Sequence, residues 1–388
     1  MRCVLAFLIA LAACSDARGI VLWHAYNGAE RDALETTVAA WNAEHADEPI
    51  TLVAVPYDAF ADKLSSAIPR GNGPDLFIYP QDRIGDWADA GVIEPIEFWV
   101  DDARADRFTP ASLDAMAYKG SLWGLPMAVK ALALYYNPQL VPEPPRTTDD
   151  VLALAQREKP HGVFALAYPN VDLYEHAPWL HGFGGSIFDK AGNFAIATPE
   201  AAKAMTFARS LVTAGATPED AQASLIASLF NEGRAATVIS GPWFMGEIAN
   251  VPWKVTTLPI VSATGEPARP FASAEGVMMS SRAHDKNAAF AAMEYLTNDA
   301  SATTRAKRAR QVVPNVHAWD DPALAHDDVL AAFRAQLDHV VPMPNDPRMR
   351  SVWTPYRTAL GEVVSGRAEP GPMLDKIQHE IEGFQRAP

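Results

Sequence analysis

The chain has 388 residues, of which 49% are hydrophobic and 20% are charged, and its formal net charge is −15 at pH 7. This length suits two domains of ordinary size, and the composition excludes a disordered or fibrous protein. Because a chain this acidic repels the phosphates of nucleic acids and of anionic lipids, no nucleic-acid partner is expected.

The first fourteen residues have the pattern of a lipoprotein signal peptide. Arg2 supplies a positive charge, residues 4–11 form an uncharged apolar run, and the segment Leu-Ala-Ala-Cys that ends at Cys14 matches a lipobox. The run is too short to span a bilayer as a permanent helix, which favours a cleaved signal. The alternative is a cytosolic chain with an apolar first strand, and the ending of two small residues and a cysteine disfavours it.

We therefore predict lipidation of Cys14 and a periplasmic or otherwise extracytoplasmic protein that contacts the membrane through this anchor alone. Cys3 would leave with the signal, so the mature chain would hold no disulfide although its compartment is oxidising. The sequence contains no other apolar stretch long enough to span a bilayer.

Strand and helix patterns alternate between residues 19 and 91. Short apolar runs predict strands at 19–23, 50–55 and 75–79, and helical patterns follow them from Asn27, Tyr57 and Asp82. Asn27 with Glu30 three residues later is typical of a capped helix start, and Gly91 of a helix end. This alternation predicts a parallel sheet with helices on both faces.

The pattern changes after residue 116. Residues 117–126 predict a hairpin with a glycine turn, and 130–137 a further strand. Helices are predicted to start at Thr147 or Thr148 and at Thr198, which proline and glutamate follow. Strands are predicted at 235–240, which ends in Gly-Pro-Trp, and at 276–280, and helices dominate from about 287. The order predicts two α/β lobes without a long flexible linker.

Short segments along nearly the whole mature chain resemble the maltose/maltodextrin-binding proteins, within the extracellular solute-binding proteins of sugar ABC importers. The resemblance rests on several segments that occur in the same order. They are Gly73-Pro74-Asp75-Leu76-Phe77, Asp82-Arg83-Ile84-Gly85, Pro126-Met127-Ala128-Val129, Tyr136-Asn137, Gly184-Gly185, Gly241-Pro242-Trp243, Met343-Pro344-Asn345, Trp353 and Arg357-Thr358-Ala359.

The resemblance implies a periplasmic-binding-protein-like α/β fold, with two lobes, a hinge of crossing strands and a ligand cleft between the lobes. It also implies an N-terminal lobe of residues 19–128 plus 276–323 and a C-terminal lobe of 129–275 plus 324–388. The lobes would close on a sugar, and the membrane permease subunits of an importer would recognise the closed form. We expect a monomer with no cofactor and no metal.

A sugar presents weakly apolar faces that stack on aromatic rings, and hydroxyls that need several donors and acceptors. Matching positions imply stacking by Trp243 and Trp353 and a cleft tyrosine at Tyr174, while Tyr79 stands where the family has a tryptophan. Asp82 and Arg83 match an acid–base pair for sugar hydroxyls, and Asp172 lies where a glutamate is expected. The ligand-binding residues implied by the resemblance are Asn27, Tyr79, Asp82, Arg83, Lys130, Asp172, Tyr174, Trp243 and Trp353.

Three positions depart from the family pattern. Asn27 replaces an acid, Gly28 replaces a lysine, and Lys130 replaces a glutamate that accepts hydrogen bonds from hydroxyls. A lysine only donates, so maltose itself does not follow from the resemblance. Two interpretations of Lys130 stay open: an internal pair with Asp172, which is favoured, or contact with an anionic sugar such as a uronate.

Other functions are less consistent with the sequence. A glycoside hydrolase needs two carboxylates around the scissile bond, which Asp82, Asp172, Glu175 and Glu275 supply only nominally. Metal capture through Tyr135 and Tyr136 is disfavoured, because neighbouring strand residues point to opposite faces. A sugar-binding protein for chemosensing would have the same sequence features as one for import, so this alternative stays open. The basic cluster Arg305, Lys307, Arg308 and Arg310 is interpreted as a solvated helix face or, less favoured, as an importer-docking patch.

Overall fold

A computed structural model describes residues 19–219 and 221–386. The predicted signal peptide and Cys14 lie outside the described residues. None of the described helices is long and apolar enough to cross a membrane.

The described residues form two main β-sheets surrounded by helices. The strands are β1 Ile20–His24, β2 Ile50–Ala54, β3 Leu76–Pro80, β4 Ala117–Tyr118, β5 Ser121–Leu122, β6 Gly124–Lys130, β7 Ala133–Tyr136, β8 Phe164–Ala167, β9 Ala235–Ser240, β10 Lys254–Thr256, β11 Ile260–Val261, β12 Glu266–Pro267, β13 Phe271–Met279 and β14 Val341–Pro342. The helices are α1 Gly28–Glu44, α2 Tyr57–Ala67, α3 Ile84–Asp89, α4 Asp102–Ala105, α5 Pro110–Ala115, α6 Thr148–Glu158, α7 Leu173–Gly182, α8 Pro199–Ala214, α9 Ala223–Asn231, α10 Lys286–Thr297, α11 Asp299–Ala309, α12 Pro322–Ala325, α13 Asp328–Leu337, α14 Trp353–Val364 and α15 Pro370–Arg386.

The first sheet has the strand order β14-β13-β3-β1-β2, with β6 paired to β13. Strand β1 runs parallel to β2 and β3, as predicted, but β13 is antiparallel to both β3 and β6. The parallel pairing predicted for the strands of residues 19–91 is therefore confirmed. The antiparallel strand β13 comes from a distant part of the chain, and a local strand–helix pattern carries no information about the direction of such a strand.

Alternation along the strands explains why helices cover both faces of this sheet. Leu22 and Ile78 point to the face that α1 and α10 cover, whereas their neighbours Trp23 and Phe77 point to the face with α2 and α3. Successive strand residues face opposite sides, so a strand that is apolar throughout is buried on both. The second sheet, ordered β10-β7-β9-β8, is layered in the same way.

Three chain segments run side by side between the two sheets. Strand β6 leads into β7 after only two residues, and β13 pairs with β6 from Ser273 opposite Lys130 onward. The third segment follows α11, where Val312 forms a bridge to Val129. A connection of three adjacent strands joins two lobes yet permits a hinge rotation, because few backbone dihedrals need to change.

The basic cluster at α11 is solvated except at Arg305, since Lys307, Arg308 and Arg310 are exposed. Arg305 is only 1% exposed, and its guanidinium donates hydrogen bonds to the carbonyl oxygens of Leu296 and Met127. Burial lowers the pKa of Arg305 to about 10. Lys307 and Arg310 are exposed but pair with Asp321 and Asp327. The predicted solvated face is therefore corrected at Arg305, which ties α11 to β6.

Arg305→Met keeps the volume of this side chain but removes its donors. We expect the free energy of unfolding to fall by about 2–4 kcal/mol, because two carbonyl oxygens lose their partner in a buried site. Urea unfolding checks this, with Arg308→Met, an exposed residue of the same helix, as the control that changes it by less than about 0.5 kcal/mol. Equal effects of the two substitutions would contradict the assignment.

Candidate functional site

Lys130 lies at the end of β6, between two carboxylates that come from different elements. Its Nζ is 3.0 Å from Oε1 of Glu30, on α1, and 3.0 Å from Oε2 of Glu275, on β13. The Tyr26 hydroxyl donates to Glu275 at 2.6 Å, and the Gln311 amide donates to Glu30 at 3.0 Å. We call these five residues the hinge network, because they gather all three segments that join the sheets.

Charge compensation dominates the hinge network. Burial by itself lowers the pKa of Lys130, but the carboxylates of Glu275 and Glu30 outweigh it and raise that pKa above its usual range. Burial raises the pKa of Glu275, which Lys130 opposes. Lys130 is therefore a charged, largely buried cation whose partners are already in the protein.

The predicted Lys130–Asp172 pair does not form. Asp172 is instead the N-cap of α7, where its Oδ1 accepts a hydrogen bond from the Tyr174 amide at 3.0 Å and its Oδ2 pairs with Arg357. The sequence signal for Glu30 was present but misassigned, because the interval from Asn27 suggested a capping box. Asn27 in fact makes no side-chain cap, and its amide donates to Ala25 O at 3.4 Å.

Asp82 and Arg83 follow β3 in a short 3-10 turn, Gln81–Arg83. Arg83 Nε is 3.9 Å from Asp82, and the Arg83 guanidinium also lies 3.5 Å from Asp86. Burial raises the pKa of Asp82 to about 6, with Arg83 opposing the shift, and its Oδ1 has no hydrogen-bond partner. This oxygen is buried, so a ligand hydroxyl that reached it would supply the hydrogen bond that it lacks.

Tyr79 is not an exposed platform. It is 5% exposed, lies within the core with Phe60 and Trp87, and is covered by the ring of Tyr57. Tyr57 stacks on Tyr79 with ring centroids 5.5 Å apart and planes at 9°, and it is 55% exposed. The free aromatic face above β3 therefore belongs to Tyr57. An aromatic residue at the start of a helix that follows a strand was the signal for it.

Trp243 and Tyr174 present aromatic surface from the second sheet. Their ring centroids are 6.3 Å apart, and Trp243 is 38% exposed. Gly241 makes this placement possible, because a Cβ at this position would overlap the Trp243 ring. Burial raises the pKa of Tyr174, and the carboxylates of Glu175 and Asp82 raise it further. Asp82 follows a strand of the first sheet, whereas Tyr174 lies beside the second sheet. The two groups are nevertheless within electrostatic range of each other.

The remaining predicted positions lie at the edges of this region. Trp353 is the first residue of α14 and is half-buried against the core that Tyr174 also contacts. Gly28 has a φ of +50°, a conformation that a lysine would adopt only with strain. Gly85 touches the loop before α14, since a Cβ there would lie 2.5 Å from Asn345 O. This contact joins two of the sequence segments that carried the resemblance.

Glu175 is not among the ligand-binding residues that the resemblance implies, although its carboxyl lies in the same region. It lies in the first turn of α7, beside Asp172. Burial, with a further contribution from the Asp172 carboxylate, raises the pKa of Glu175 to about 8. It is therefore largely uncharged at neutral pH and can both donate and accept a hydrogen bond.

The arrangement combines aromatic faces, carboxyl groups and a guanidinium, which is the chemistry that binds a polyhydroxylated ligand. Among the described residues, no group of three or more histidine, cysteine, aspartate or glutamate side chains is placed to hold a metal ion. Tyr135, one of the paired tyrosines, is fully buried and donates to Gly241 O at 2.9 Å, which positions the turn that carries Trp243.

A family model for bacterial extracellular solute-binding proteins matches residues 27–303 of the chain. The chain belongs to this family. The predicted family is thus confirmed, together with the two-lobed α/β fold and the general function of a solute-binding protein of the sugar-importer type.

Individual relatives of this solute-binding protein cover nearly all of the chain. A maltotriose-binding protein of Pyrococcus abyssi (strain GE5 / Orsay) is 28% identical over 372 residues, 93% of this chain and 81% of that protein. A galactooligosaccharide-binding protein of Bacillus subtilis (strain 168) is 27% identical over 405 residues, 98% of this chain and 95% of that protein. The solved structure of a Thermus thermophilus maltotriose binding protein bound with maltotriose matches with a TM-score of 0.86 at 26% identity, and covers 94% of this chain and 100% of that chain.

Removing the cation of the hinge network should destabilise this solute-binding protein. For Lys130→Met we expect the free energy of unfolding to fall by about 3–5 kcal/mol, because Glu30 and Glu275 remain buried without a counter-ion. Adding Glu275→Gln to this variant should restore part of the loss. Urea unfolding of the single and double variants measures the coupling.

The matched control is Lys119→Met, which breaks an exposed pair with Asp89 and should leave the unfolding curve nearly unchanged, because solvent screens an exposed ion pair. If Lys130→Met were as mild as this control, the hinge network would have no structural role.

Proposed function

We propose that the protein captures a neutral oligosaccharide of the maltotriose type between its lobes and delivers it to the permease of an ABC importer. The observation that carries the proposal is that aromatic groups associated with both sheets, Tyr57 with the first and Tyr174 beside Trp243 with the second, lie within electrostatic range of Asp82, whose Oδ1 is unpaired. Two relatives named for maltotriose support the same class of ligand.

The hinge network supports a neutral sugar over an acidic one. The positive charge of Lys130 lies 3.0 Å from each of two carboxylates, so Lys130 is already compensated and is not left over for a uronate. Asp82 adds a further carboxyl group, and Arg357 already pairs with Asp172. A uronate would therefore meet net negative charge, which raises its cost of binding.

In the proposed mechanism the lobes are residues 19–128 plus 276–323 and residues 129–275 plus 324–388. The three segments that meet at the hinge network act as the hinge, and the ligand favours the closed form by bridging both lobes. The protein acts as a monomer, is anchored by a lipid on Cys14, and performs no catalysis. Asp82, Arg83, Tyr174, Trp243 and Trp353 contact the sugar, and Tyr57 provides the face that was predicted for Tyr79.

Calorimetric titration of the chain from Ser15 onward tests the ligand. We expect binding of maltose or maltotriose and none of a uronic acid, because the cleft offers stacking surface and each cation near it, Lys130, Arg83 and Arg357, already faces a carboxylate. Galactooligosaccharides serve as the comparison with a different linkage. Binding of only the uronate would overturn the proposal, and release of reducing ends during incubation would overturn the absence of catalysis.

Gly241→Ala should weaken this binding without touching the ligand, because the new Cβ displaces the Trp243 ring. We expect affinity for maltotriose to fall about threefold to tenfold, the equivalent of ~0.5–1.5 kcal/mol of aromatic contact. Gly246→Ala is the control, since it ends the same turn and its Cβ would have no atom within 4 Å. Equal affinities of the two variants would show that Trp243 does not contact the sugar.

A further inference from the structure

A small cavity opens directly beside Trp243, at the carboxyl ends of β8 and β9. Pro169, just beyond β8, and Ser240, the last residue of β9, are among the residues that line it. In α/β folds ligands bind outside the carboxyl ends of the strands, so a cavity here lies where a ligand is expected. Its residues were not among the predicted ligand-binding positions, apart from Trp243 itself.

The walls of this cavity are chemically mixed. Ile226, Ile239 and Phe244 supply apolar surface, whereas Glu175, Ser240 and Glu247 supply polar atoms. A group that fits both kinds of wall has an apolar carbon and a single hydroxyl. Fully charged or fully apolar groups would leave one wall unsatisfied.

The size of the cavity limits what enters it. Its volume is about 50 Å³, and a water-sized group needs roughly 10–15 Å³ on this measure. Room for roughly three to five such groups admits a short substituent but excludes a whole sugar ring. The ring itself would stay outside, on the exposed face of Trp243.

We propose that this cavity is a subsite for the exocyclic hydroxymethyl group of a hexopyranose unit stacked on Trp243, and that it selects hexose over pentose units. The methylene carbon contacts the apolar wall, and the hydroxyl hydrogen-bonds with Glu175 and Ser240. The proposal rests on the proposed function, because it requires a sugar on Trp243.

The test compares maltose with two analogues, each of which has xylose in place of one of its two glucose units. Xylose lacks only the hydroxymethyl group. One of the two analogues lacks the hydroxymethyl group of the unit that stacks on Trp243. We expect this analogue to bind at least about tenfold more weakly than maltose, which is the usual range for a missing group in a fitted pocket. The other analogue keeps that group and should bind like maltose. Equal binding of maltose and both analogues overturns the subsite but leaves the proposed function intact. Failure of maltose and maltotriose to bind overturns both.

Two variants assign the effect to this cavity. Ala223→Leu fills it, so maltose should bind about as weakly as the sensitive xylose analogue, whose own affinity should not change. Ser224→Leu is the control, because Ser224 is exposed on the same helix and does not line the cavity. A preference for hexose that survives in Ala223→Leu would place the hydroxymethyl group elsewhere and overturn the proposal.

The pH dependence of maltose binding gives a second test of Glu175, because a misfolded variant would not show the expected change in pH dependence. Its carboxyl faces Asp172, which favours the protonated form, and Arg357, which opposes it, and Glu247 lines the same cavity. Because the pKa of Glu175 is raised to about 8, its ionisation should weaken maltose binding several-fold between pH 7 and pH 9. Glu175→Gln has no group that ionises at this position, so whatever its affinity for maltose at pH 7, that affinity should not fall between pH 7 and pH 9. A pH profile equal to that of the unmodified protein would contradict the role of Glu175.

Discussion

The ion pairs of Lys130 with Glu30 and Glu275 are the interaction on which the rest of the molecule depends. A buried ammonium group is tolerated only when its charge is compensated at short distance. Here the compensation comes from α1 and β13, and Gln311 of the third connecting segment holds Glu30 in place. The requirement to neutralise one side chain thus fixes the relative positions of every segment that passes between the two sheets.

The same interaction decides what the cleft can bind. A lysine in a sugar site would ordinarily suggest an anionic ligand, but this one has no charge left to offer. The groups that remain to contact a ligand are aromatic rings and carboxyl groups. Burial raises the pKa of Asp82 to about 6 and that of Glu175 to about 8. At pH 7 Asp82 is then mostly ionised and accepts hydrogen bonds from hydroxyls, whereas Glu175 is mostly protonated and can also donate, a combination that suits a neutral, hydroxylated ligand.

Local patterns predicted the parts of the structure that local physics determines. The helix starts at Thr147 and Thr198 form side-chain caps, and the strand at 235–240 has the predicted bounds. The order of short segments was enough for the family. The prediction did not extend to contacts between distant residues: Lys130 and Glu30 are 100 positions apart, and the interval to Asn27 favoured a cap that does not form. An aromatic platform was predicted at Tyr79, but the ring of Tyr57 covers it. Which of the two rings is exposed depends on how they pack, and the sequence does not show this.

The position of the buried charges also bears on how the lobes move. Groups near a rotation axis are displaced least when two bodies rotate, so pairs located where the connecting segments meet can persist in open and closed forms. Tyr57 begins α2, which covers the first sheet, and Trp243 follows β9 of the second sheet, so the separation of these two rings changes when the sheets rotate relative to one another. Lobe closure then does not break the ion pairs of Lys130. The free energy of closure depends instead on the contacts that the ligand makes with the aromatic rings of both lobes. Under the proposed function, a sugar too short to contact both faces would bind one lobe without favouring the closed form, so ligand length would affect recognition by the permease.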